Sequence, residues 1–290
     1  MALQQIEYLI HGNILPLSIE NIRISDRLLL ERVYVDGYQD ATWGKNVGHV
    51  KAYVGMEYEE KGAFFKRADE YLTLFLHLYT LETAQPHVLF RGVSIPVDDF
   101  SNLGLNKVSF PSFDSGKSLS EPFEHDVRFI SYLKSNFERF ASDYEEILSS
   151  PLGLSLQFIY DAVMANHRSR LELAVVHFIM AAEALVIHEL NEISHRISKR
   201  IAVLVSDSPT ELNEVYRKMK KLYGIRCGIV HGGGKRASPY DVQDLYVYLK
   251  KAVKECLIHD RVTKQDLIRK LDLTFDSQDF TSARLHLWST

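Results

Sequence analysis

Cysteine is scarce: the 290-residue chain has 2, Cys227 and Cys256. They lie apart and form no CxxC pair, which excludes a disulfide framework and the usual thiolate metal or redox motifs. Long hydrophobic runs are missing as well. No apolar stretch reaches the roughly eighteen residues of a bilayer span, so no membrane association is expected. The opening residues Met1-Ala2-Leu3-Gln4-Gln5 lack the basic region and apolar core of a secretory signal, and a cytoplasmic protein is expected. There is no internal repeat and no low-complexity segment. A composition that is 46% hydrophobic and 25% charged excludes a disordered chain, and its length suffices for the cores of one large or two medium domains.

Charge of one sign is also lacking overall, at −4, but the balance is uneven along the chain. Up to residue 152 there are 14 Lys and Arg against 22 Asp and Glu; after it there are 20 against 16. The basic excess includes Arg217, Lys218, Lys220, Lys221, Lys235 and Arg236. A modest bias of this kind suits either phosphate attraction or a solvated helix face.

Hydrophobic period divides the chain in the same way. Residues 1–60 read mostly as strand, best in the strict alternation Val50, Ala52, Val54, Met56, Tyr58. Lys66 to Ala84 reads as helix and His87 to Val97 as short strands. From 98 to 122 Asp, Ser, Asn, Gly and Pro accumulate and mark a joint. Beyond it helices are expected over Glu124–Leu148, Leu154–Asn166, Ser169–His188 (apolar nearly all round, hence central), Glu192–Val205, a stretch capped by Thr210, and one begun by Ser238-Pro239. A short amphipathic piece, Thr263–Leu271, precedes a frayed tail. The expected fold is α+β: a mixed α/β domain over 1–120, then an all-α bundle over 121–290 with its core at 153–260.

The stretch Tyr223-Gly224-Ile225-Arg226-Cys227-Gly228-Ile229-Val230-His231-Gly232-Gly233-Gly234 concentrates the unusual features. Leu212, Val215, Tyr216, Met219, Leu222, Tyr223, Ile229 and Val230 recur at helical spacing, and Arg226 falls within their stripe. An inward guanidinium needs an anionic partner. Glu183, the lone acid in the apolar run Leu173–His188, is the expected one, or else orients His231. Gly224, Gly228 and Gly232 recur every four residues, a costly choice inside a helix unless another backbone approaches there.

Arg226-x4-His231, preceded by Lys220-Lys221-Leu222-Tyr223 and followed by Gly232, resembles the Arg-x4-6-His signature of the HEPN superfamily. Ala181-Ala182-Glu183-Ala184-Leu185 and Glu192-Ile193-Ser194-His195-Arg196-Ile197-Ser198-Lys199-Arg200-Ile201-Ala202 resemble its Apea-like branch. The resemblance covers the second half of the chain. It implies a helical bundle that pairs with a second copy, and a metal-independent endoribonuclease without cofactor, in defence or toxin action. It further implies that His231 is the acid/base residue and Arg226 the phosphate-binding one, with Glu183, Tyr223 and Cys227 in support. Lys220, Lys221, Lys235 and Arg236 would contact RNA. The chemistry is sound in itself: imidazole changes charge near neutral pH and a planar guanidinium matches phosphate oxygens. The chain departs from the pattern at Cys227, where active members often carry a polar residue.

Other readings stand beside this one. The Arg–His pair suits a non-catalytic RNA-binding or scaffold module, or a bundle regulated by a bound nucleotide. The N-terminal domain suits a regulatory ligand or protein. His188, Glu192 and His195 would share a face as metal ligands only on a continuous helix, and no fourth ligand accompanies them. Cys227 and His231 could form a thiolate–imidazole pair, but no orienting residue is evident, and a packed cysteine is expected. His177 reads as a core histidine donating to a nearby oxygen. Gly116-Lys117-Ser118 is not a phosphate loop, because residue 111, where the motif needs glycine, is proline.

Overall fold

The computed structural model describes residues 3–11, 21–25, 27–33, 49–57, 61–84, 88–91, 134–135, 137, 140–189, 191–259 and 263–288. The chain is α+β and divides into two compact units, Met1–Glu146 and Ile147–Thr290.

In the first unit, β1 (Leu3–His11), β2 (Asn21–Ser25), β3 (Leu28–Val33), β4 (His49–Glu57) and β5 (Val88–Arg91) form a five-stranded antiparallel sheet in the order β2-β3-β4-β1-β5. Residues two apart share a face. Leu28 pairs with Val54 and Leu30 with Ala52, and these are buried along with Ile24. Helix α1 (Lys61–Thr83) packs against β4, and from Tyr71 onward most of its side chains are buried. The Tyr71 hydroxyl is 2.7 Å from Ser25 Oγ, a buried bond between sheet and helix.

Phe137 meets Tyr71 and Phe75 edge-on at 4.9 and 5.4 Å, and Tyr144 meets Tyr71 at 5.4 Å. These aromatic contacts hold Phe137 and Tyr144 to the first unit, and the division between the units follows Glu146. Of the helix expected over Glu124–Leu148, residues 124–133 lie outside the described residues; the rest is interrupted at Ala141–Asp143, where Ser142 and Asp143 favour a turn and the Asp143 N–H donates to Phe140 O. It resumes as α2 (Tyr144–Ser149). The expected joint at 98–122, with the domain boundary at 120 inside it, and the strands expected beyond Arg91 lie outside the described residues.

The second unit is helical: α3 (Pro151–His167), α4 (Leu171–Val186), α5 (Ile193–Val205), α6 (Pro209–Val230), α7 (Pro239–Ile258), α8 (Lys264–Phe275) and α9 (Phe280–Leu285). The apolar α4 is central and touches α3, α5, α6, α7 and α8. Ser150, Ser208, Ser238 and Thr263 cap their helices through side-chain oxygens, the first three followed by proline at the first turn. The cap of α6 is therefore Ser208, not Thr210, because Pro209 takes the first helical position. The expected frayed tail instead carries α9, capped by Asp279.

Arg200 on α5 is fully buried and organises the far side of α4. Its Nε and Nη2 donate to Asp272 of α8 at 3.0 and 2.9 Å, and its Nη1 donates to Val186 O at 2.8 Å and to Glu189 at 3.2 Å. Lys264 donates to Ala184 O at 2.7 Å. Two cations thus answer the open carbonyls at the C-terminus of α4.

Candidate functional site

Helix α6 carries the candidate pair. Ser208 Oγ accepts from the Glu211 N–H at 3.3 Å, and Glu211 Oε2 accepts from the Asp207 N–H at 2.8 Å, so its first turn is closed from both sides. Leu212, Val215, Met219, Leu222 and Ile225 form its buried stripe. The sequence extends that stripe through Ile229 and Val230, but in the structure Ile229 is half-buried and Val230 is 51% exposed. Burial ends at Ile225 because the last turn runs past the surface of the bundle.

Arg226 sits at the margin of the stripe. Its Nη2 is 3.7 Å from Glu183 Oε1 on α4, the expected ion pair, and both side chains keep part of their surface exposed. The contact is loose, since a hydrogen-bonded pair would lie near ~2.8 Å. The Arg226 Nε is buried without a hydrogen-bond partner among the described residues. Its guanidinium lies 5.7 Å from the centre of the Tyr223 ring. Burial pushes the Glu183 carboxyl above the ordinary carboxylate range, and Arg226 offsets only part of this. Burial likewise raises the Tyr223 hydroxyl, with neighbouring Cys227 and Glu183 adding to the shift.

His231 is the C-cap of α6, and it is exposed. Its N–H donates to Cys227 O at 3.0 Å. Five residues at 3.6 per turn separate Arg226 and His231 by about 140° around the axis. The two flank the helix end rather than stacking on one face. Cys227 between them is half-buried.

The glycines explain the stop. Gly232 has φ +71°, the left-handed conformation; its N–H donates to Ile229 O at 3.4 Å, and the Gly233 N–H donates to Gly228 O at 2.7 Å. This is a Schellman closure. The other backbone expected to approach at Gly224 and Gly228 is not what lies there; the side chain of Lys235, from the chain's own return, occupies the space. The stem of Lys235 lies across Gly228, and Lys235 Nζ donates to Gly224 O at 3.0 Å.

Of the remaining basic residues, Lys220 lies 5.9 Å from the Tyr216 ring centre, Lys221 is exposed, and Arg236 is 86% exposed and 3.5 Å from Glu172. His188 and Glu192 fall in the non-helical link between α4 and α5, so the continuous helix that would align them with His195 is absent. His195 instead has its Nδ1 2.9 Å from the Tyr216 hydroxyl. Among the described residues, no cluster of His, Cys, Asp and Glu is arranged to hold a metal ion, and no helix is long and apolar enough to cross a membrane. His177 is half-buried, and its Nδ1 is buried without a partner among the described residues, so any donation expected of it falls to Nε2.

In the first unit a cleft of about 550 Å³ is lined by Arg27, Arg67, Ser142, Asp143, Tyr144, Glu145 and Glu146. The sequence does not reveal it, since Arg27 and Arg67 are far from residues 142–146 along the chain. The Arg200 network escapes sequence reading for a similar reason, although a cation between Ile197 and Ile201 in an apolar stretch is a usable signal. Compared with known proteins, the chain matches no family model, no curated protein and no solved structure.

Proposed function

We propose that residues 147–290 are a HEPN-type helical domain and act as a metal-independent endoribonuclease through Arg226 and His231, in a site completed by a second copy. One observation carries the reading. A partly exposed guanidinium held only by a loose carboxylate contact shares a helix end with an exposed histidine. That guanidinium has hydrogen-bonding capacity left for a phosphate.

In this reading His231 removes the proton of a ribose 2′-hydroxyl, whose oxygen attacks the adjacent phosphorus. The P–O5′ bond breaks, leaving a 2′,3′-cyclic phosphate and a 5′-hydroxyl. The partner subunit's His231 protonates the departing oxygen. Arg226 neutralises charge on the phosphate, Glu183 and Tyr223 hold its guanidinium, and Cys227 packs between the pair. The charges of Lys220, Lys221 and Arg236 draw in the RNA backbone, whereas the Lys235 ammonium is bonded to Gly224 O. The first unit, with its Arg27–Arg67 cleft, is the part suited to a regulatory ligand or protein. A role in defence or toxin action rests on the family resemblance.

The test is incubation with mixed RNAs in EDTA. Cleavage that resists the chelator and falls by about 10²–10⁴-fold in His231→Ala supports the enzyme, with a similar fall in Arg226→Ala. A second reading, a non-catalytic RNA-binding or scaffold module, is favoured by the Arg226–Glu183 pair itself, because a paired arginine is a structural one. It predicts bound RNA and no cleavage under any condition.

A further inference from the structure

We infer that Lys235 is a positioning residue: by lying in the glycine groove of α6 it closes a ring of chain that contains both Arg226 and His231, and so holds the imidazole in place. The catalytic consequence rests on the endoribonuclease reading, but the mechanical claim does not.

Three contacts carry this. The Gly233 N–H to Gly228 O bond, at 2.7 Å, turns the chain back at the helix end. A Cβ on Gly228 would come within 2.6 Å of Lys235 Cγ and Cδ and 2.8 Å of its Cβ, so the stem fills the space that the missing side chain leaves. Lys235 Nζ then donates to Gly224 O at 3.0 Å, two residues before Arg226.

The backbone bond and the lysine bond act on the same loop from two sides. The first closes the turn from Gly228 to Gly233, and the second extends the closure back to Gly224. Inside the two closures lie His231 as C-cap and Gly232 in the left-handed conformation. Gly232 and Gly234 both have positive φ, and a Cβ at either would face open space. What restrains the loop is the pair of closures. Lys235 is exposed like Lys221 and Arg236, but its ammonium is bonded to the α6 backbone at Gly224 O.

The experiment compares full-length wild type with Lys235→Ala, Lys235→Met and Gly228→Ala, without RNA, by amide exchange at Gly233 and by the NMR signals of the His231 ring, assigned with His231→Ala. Lys235→Ala is expected to speed exchange at Gly233 by about tenfold and to shift the ring signals. Lys235→Met, which keeps the stem and loses the charge, recovers most of the wild-type behaviour. Gly228→Ala, which keeps the charge and blocks the groove, reproduces the alanine result. With RNA, kcat falls in Lys235→Ala and Gly228→Ala while KM changes little.

Unchanged exchange and ring signals in both Lys235→Ala and Gly228→Ala would overturn the inference. So would RNA binding that weakens equally in Lys235→Met and Lys235→Ala on a His231→Ala background, since that marks a plain phosphate contact. A chain that cleaves no RNA but shows the loop released in these variants keeps this inference and loses the endoribonuclease reading.

Discussion

A buried guanidinium persists only where its charge and its N–H donors are answered, and Arg200 meets that condition through Asp272, Glu189 and Val186 O. Removing it leaves two carboxylates and an open helix end. Arg200→Ala is expected to cost about 3–5 kcal/mol, read from urea unfolding of the second unit. Glu183 makes the opposite kind of prediction. Its carboxyl is raised by burial, so the folded state holds its proton to higher pH than the unfolded one. Wild-type stability relative to Glu183→Gln should therefore decline as pH rises through and just above the ordinary carboxylate range. Glu189, lowered by its bond to Arg200, contributes with the reverse sign, present at neutral pH and lost on acidification. Paired unfolding curves in acid and at neutral pH check the direction; a Gln variant that gains nothing on wild type between them refutes it. At this scale the sequence is partly legible. Glu183 stands out as one acid in an apolar run and points to Arg226, whereas the partners of Arg200 come from α8 and the α4–α5 link, whose approach no local pattern announces.

Helices are legible where caps and period agree, and less so where a tertiary contact decides. Ser238-Pro239 marks the start of α7 in sequence and in structure. The interruption at Ala141–Asp143 is hidden because Val127, Ile130, Leu133, Phe137, Phe140 and Tyr144 continue a helical period across a turn. The end of α6 is a third case. Three glycines forecast the stop, and the Schellman closure supplies it, yet the body lying in the Gly224–Gly228 groove is the returning loop and not another helix. Gly232 is favoured as glycine, because its φ of +71° costs free energy for a residue with a Cβ. Gly232→Ala should cost about 1–2 kcal/mol in thermal or urea unfolding. Gly228→Ala tests the groove from the other direction. In an open helix it would gain about 1 kcal/mol, and here that gain should be missing because the Lys235 stem must leave.

Across the whole chain, charge and fold divide at nearly the same place. No charged residue lies between Ile147 and Leu152, so the second unit carries the 20 Lys and Arg and 16 Asp and Glu counted after residue 152. Much of that positive charge is already engaged: Lys199 with Asp276, Lys218 with Asp244, Lys251 with Asp207, Arg284 with Glu255 and Arg200 with Asp272. On the proposed reading, the surplus left for RNA is therefore concentrated in few side chains, Lys220 and Lys221 among them. Each phosphate neutralised on a single strand contributes about 0.7 to the slope of log affinity against log salt. If both lysines touch the backbone, the Lys220→Ala, Lys221→Ala double variant should flatten that slope by about 1.4, measured by RNA binding across a salt series. A uniform loss of affinity with the slope unchanged would remove these two residues from the interface. On the proposed reading, the binding would then rest on Arg226, Arg236 and the second copy.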